Sequence, residues 1–194
     1  MEISNSRELN KGLNHSSAKL SLLPYLGMPV IGAVFLIVRS WYLEPHSILQ
    51  YGLLIMFGFI AAILDLKSKR IPNGLILAML VSWVLIMTPR LFYDTDTAVV
   101  LLADSALGFV IGGGMFLLVY LISRKGLGGG DVKFMAAAGL YLGFGGVLPA
   151  MLFGTVFAAL VGFALILLKK MGRKDSIPLA PFLYAGMLIT VFFL

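Results

Sequence analysis

Cysteine is absent from the 194 residues, and only 12% of them are charged. Without a thiol there is no disulfide framework, no cysteine-ligated zinc and no thiol nucleophile. Histidine is nearly as scarce. His15 falls in a polar tail and His46 in a loop, so a histidine metal cage is not expected, nor is any other cofactor. A soluble domain carries roughly a quarter charged residues and about half apolar ones. Here the apolar share is 60% and the mean hydropathy +0.99, so polar side chains are too few to cover a globule. A cytosolic globular enzyme, a disordered tail and a small disulfide-stapled secreted domain are all excluded. The net charge of +6 would suggest nucleic acid in a soluble chain. In this one it is read first as membrane topology, with a lipid bilayer and not nucleic acid as the surrounding partner.

Long apolar runs stand where polar surface is missing. A helix crosses the hydrocarbon core with about 20 apolar residues, or fewer when protein surrounds it. Seven candidates lie near 21–43, 48–65, 73–89, 98–123, 132–145, 147–168 and 178–194. The fifth is short and glycine-rich, and the count falls to six if it is only a partial span. The runs are continuous, not alternating, which favours helices over a barrel. The expected fold is all-α, a polytopic transmembrane helix bundle. Residues 1–20 are polar, without the apolar core of a signal peptide, and read as a cytoplasmic tail. Residues 21–194 read as one transmembrane domain.

Lysine and arginine set the direction. In the seven-span arrangement thirteen of the fifteen basic residues fall on one side, leaving only Arg39 and Arg90 on the other. The positive-inside rule makes the first side cytoplasmic, with the N-terminus inside and the C-terminus outside. The expected location is the inner (cytoplasmic) membrane of the cell. Gly108 with Gly112, Gly139 with Gly143, and Ala158 with Gly162 place small residues at the spacing that lets helices approach closely in lipid. That spacing predicts a compact bundle and leaves the oligomeric state open.

Acidic residues in or at the end of a span are costly, and are functional candidates for that reason. Asp65 closes the second span, and Asp131 opens the fifth after Gly128-Gly129-Gly130. Both fall at the cytoplasmic ends of their helices, although they are 66 positions apart. Asp104 enters the fourth span from the opposite face and cannot pair with them. Two carboxylates brought close share a proton, because repulsion and burial disfavour a second charge. The ionised member then takes a proton from water while the protonated one polarises a peptide carbonyl.

The surroundings fit that chemistry. The triple glycine lets a substrate strand approach, and Pro72 suits the first turn of the third span. Lys67, Lys69, Arg70 and Lys133 place positive charge nearby. Blander readings stand beside each of these. Asp65 alone is equally explained as a solvated helix end, Asp131 as a first-turn acid complementing the helix dipole, and Asp104 as an acid bonded within the bundle. A non-enzymatic transporter with an aspartate proton relay is a further alternative.

Asp65 followed by Ile71-Pro72-Asn73, and Gly128-Gly129-Gly130-Asp131 followed by Val132-Lys133, resemble the type IV prepilin peptidases, membrane aspartic proteases with a GxGD motif. Ile177-Pro178-Leu179-Ala180-Pro181-Phe182 is similar to the family as well, so the resemblance covers roughly residues 48–194. It implies cleavage of the leader from prepilin or pseudopilin precursors at the cytoplasmic face, with Asp65 and Asp131 as the catalytic pair. Pro72, Asn73, Gly128, Gly130 and Lys133 are implied as supporting positions. Larger family members carry a cysteine-containing segment and also N-methylate the new N-terminus. With no cysteine and no long loop between its first two spans, this sequence is expected to lack that second activity. A GxGD-type protease cutting inside the bilayer is the nearest enzymatic alternative.

Overall fold

A computed structural model describes residues 45–123, 127–169 and 177–193, which hold five helices, together with 30, 32–34 and 37, which are helical as well. The five are α1 (Pro45–Ser68), α2 (Asn73–Tyr93), α3 (Thr95–Ile122), α4 (Gly129–Leu167) and α5 (Ala180–Phe193). The first four are long and apolar enough to cross a membrane, while α5 has only 14 residues. At 1.5 Å per residue that is about 21 Å, short of the roughly 30 Å hydrocarbon core. Leu85, Val110, Leu118, Leu160 and Phe163 are all exposed on the outside. Such a surface is a liability in water and the natural one in lipid. The chain is an all-α polytopic membrane bundle.

The tail at 1–20 and most of the expected span at 21–43 lie outside the described residues, although Gly32 packs on Ile55 of α1 and Leu188 of α5. Two local expectations change. The span expected near 73–89 continues through Pro89 to Tyr93, so Arg90 stands in the last turn of α2. Pro72 precedes α2 instead of entering its first turn. Its extended conformation (φ −70°, ψ 142°) caps the helix that Asn73 begins.

The stretches at 132–145 and 147–168 are two arms of one element. Gly143 adopts φ +66° and ψ −175°, a region essentially closed to residues with a Cβ. Helix α3 runs along both arms. Its Gly112 faces Met135 on one and Val147 on the other, and its Gly108 faces Gly139 and Gly143. Both arms therefore leave Gly143 in the same direction, and the second doubles back on the first. A Cβ on Gly108 or Gly139 would overlap the other's carbonyl, so this close approach requires glycine at both. The first arm, 129–142, is short because protein surrounds it: every residue from Phe134 to Gly143 is buried.

A reversal inside a bundle strands backbone groups that water cannot reach, each costing several kcal/mol if left bare. Three other helices supply partners. Gln50 Nε2 of α1 donates to Tyr141 O at 2.6 Å, and Trp83 Nε1 of α2 donates to Leu140 O at 2.9 Å. On the far side of the bend Phe144 N donates to Asp104 Oδ1 of α3 at 3.1 Å. Asp104 is thus bonded within the bundle and remote from the other two aspartates, as its place in the sequence suggests.

Candidate active site

One end of the bundle gathers the close of α1 and the starts of α2, α4 and α5. Helix α1 stops after Ser68 because Lys69 turns left-handed (φ +50°) while its N–H bonds back to Asp65 O at 2.8 Å. Ser68 Oγ adds a bond to Leu64 O at 2.7 Å. Asp65 is left in the final turn and is 5% exposed. Its Oδ2 accepts the main-chain N–H of Ala180 at 3.0 Å, a buried contact spanning 115 positions.

Asp131 reaches the same end from α4. Gly128 is extended (φ −78°, ψ 137°) and Asp131 is the third residue of the helix that follows. Its N–H closes on Gly128 O at 3.1 Å. Its side chain is 9% exposed, and Oδ1 is buried with no hydrogen-bond partner among the described residues. The two carboxylates are within electrostatic reach of each other. Few other polar side chains are buried among the described residues, so this pairing is a conspicuous cost to the fold.

The three glycines differ in what they tolerate. A Cβ on Gly128 would stand 2.9 Å from Asp131 Oδ2, and one on Gly130 would press on Ile71 at 3.3 Å. A Cβ on Gly129 would meet nothing within 4 Å. That is a physical reason for the G-x-G-D pattern: the first glycine makes room for the carboxylate, and the third lets the loop of α4 lie on Ile71-Pro72-Asn73. Lys133 Nζ then donates to Asn73 Oδ1 at 3.0 Å, tying the two motifs together across the exposed rim. Lys133 therefore serves the loop contact, whereas Lys69 is the basic residue within electrostatic reach of Asp65.

The Type IV leader peptidase family matches residues 52–173, which contain both aspartates and both loops. The chain belongs to this family. Among similar proteins are three prepilin leader peptidase/N-methyltransferases. That of Bacillus subtilis is 28% identical over 130 residues, covering 67% of this chain and 50% of its own length. That of Legionella pneumophila is 27% identical over 170 residues, 87% of this chain and 58% of its own. That of Xanthomonas campestris is 28% identical over 136 residues, 69% of this chain and 46% of its own. The chain thus spans about half the length of these relatives. No solved structure matches it.

Every leader-peptidase motif residue singled out in the sequence stands at this one end: Asp65, Pro72, Asn73, Gly128, Gly130, Asp131 and Lys133. Sequence reading missed the Ala180 amide, a main-chain group with no side-chain signature. Its trace in the sequence is Pro178 and Pro181, which hold the chain for the start of α5 (Pro181 is buried within that first turn).

Proposed function

We propose that the chain is a membrane-embedded aspartic endopeptidase that removes the leader from prepilin-like precursors at the cytoplasmic membrane face. The observation that carries this reading is the meeting of two buried carboxylates, Asp65 and Asp131, from separate motifs at one end of the bundle. Family membership and the names of its relatives support the substrate class. The bias of basic residues toward the same end supports a cytoplasmic active site, an internal N-terminus and an external C-terminus in the inner membrane. Residues 21–194 form a single peptidase domain on this reading.

The chemistry needs one proton shared by the pair. Water attacks the scissile carbonyl carbon as the ionised carboxylate accepts its proton, and the protonated carboxyl donates to the carbonyl oxygen. The tetrahedral adduct collapses as the newly protonated carboxyl passes its proton to the leaving nitrogen and the C–N bond breaks. The proton from the adduct's hydroxyl returns to the other carboxylate, so the pair is restored. Products are a leader ending in a carboxylate and a precursor with a new amino terminus. That amine is left unmethylated, because the sequence has neither the cysteines nor the long loop of the methylating segment.

Purified protein in detergent or proteoliposomes, incubated with candidate prepilins, tests the reading by leader loss. Asp65→Asn and Asp131→Asn should each abolish cleavage while helical content and detergent-extracted yield stay at wild-type levels. Full activity in either variant would remove that aspartate from the mechanism.

A further inference from the structure

The family match ends at residue 173, yet a group beyond it bonds to Asp65. Ala180 is fully buried, and its N–H points at Asp65 Oδ2 from the first turn of α5. The Leu179 amide lies beside it. Main-chain donors at a helix N-terminus stabilise an anion by direct hydrogen bonds and by the dipole behind them. Asp131 is less well supplied, with the Gly128 main chain as its one backbone donor and no basic residue acting on it among the described residues. Its own N–H is spent on Gly128 O, its Oδ1 has no partner among the described residues, and its Oδ2 lies over Gly128. Lys69 sharpens the asymmetry, since it acts on Asp65.

Resting on the peptidase reading above, we propose that the Ala180 amide is a positioning group of the active site. It fixes Asp65 as the carboxylate that takes the proton from water, leaving Asp131 as the acid that donates to the scissile carbonyl. The start of α5 is then part of the catalytic apparatus, although it contributes no reactive side chain. Because the donor is a backbone group, side-chain truncation leaves it in place and only proline removes it.

Ala180→Pro deletes the N–H at a helix first turn, where proline is tolerated. It should lower kcat by roughly 100-fold, the scale of losing one preorganised donor, with KM changed by less than about threefold. Ala180→Gly alters the side chain and keeps the amide, so its kcat should exceed that of Ala180→Pro by roughly 30-fold or more. Equal kcat in two folded variants overturns the proposal. Should Ala180→Pro fail to fold, infrared spectra of the carboxyl groups across a pH series decide. The protonated C=O band should survive to higher pH in Asp65→Asn, which keeps Asp131, than in Asp131→Asn, which keeps Asp65, and the reverse order overturns the assignment. Absence of cleavage by wild type would instead defeat the peptidase reading itself, so the two failures are distinct.

Discussion

Asp131 folds its carboxylate back over Gly128, with Oδ2 only 2.9 Å from where a Cβ on that glycine would stand. The contact makes Gly128 a determinant of where the acid sits. Gly128→Ala should push the carboxylate aside and lower kcat/KM by roughly 100-fold, the scale of an ångström's misplacement. Gly129→Ala, entering open space, should stay within about threefold of wild type. Steady-state cleavage of one prepilin by the two variants checks the pair, and equal losses would sink the steric explanation.

Asn73 and Lys133 tie the two motif loops, and each loop carries or flanks an aspartate. Asn73→Ala and Lys133→Ala should each lower kcat/KM by about three- to tenfold, the range of one exposed hydrogen bond. The double variant should lose little more than either single one, because both remove the same contact. Additive losses in the cycle would show that the residues act separately.

Asp104 and Gly143 predict a stability effect away from the chemistry. Asp104→Ala removes the acceptor for Phe144 N and should cost about 1–2 kcal/mol. Asp104→Asn keeps an acceptor oxygen and should cost less. Gly143→Ala should be worse than both, since φ +66° disfavours any Cβ and that Cβ would run into the Asp104 carboxylate. Denaturant unfolding in detergent ranks the three, and a benign Gly143→Ala would contradict the described bend.

The missing cysteines yield a prediction about product. Purified protein given a prepilin and a methyl donor should release a mature chain with a free, unmethylated amine. Mass spectrometry of the new N-terminus reads this directly, and a shift of one methyl group would overturn it.

Much of the site was legible because its parts obey rules that act locally along the chain. Hydropathy marks the helices, and an aspartate at the end of an apolar run stands out by its cost. The reversal at Gly143 was harder to see. Gly139, Gly143, Gly145 and Gly146 lie close together, and nothing local says which one turns left-handed. That choice is made by Asp104, Gln50 and Trp83, whose polar groups meet the bend only after α1, α2 and α3 have packed around it. The Ala180 amide was invisible for a related reason, since every residue except proline has one and only tertiary structure aims it.

The three partners of the bend share one further property: Gln50, Trp83 and Asp104 all precede it in the chain. Synthesis from the N-terminus therefore makes these three side chains before Gly143. The hairpin of α4 can close on partners already made, and Asp131, carried at the start of its first arm, then meets Asp65 of an older helix at the end of the bundle. None of the three side chains that meet the turn has to follow it in synthesis.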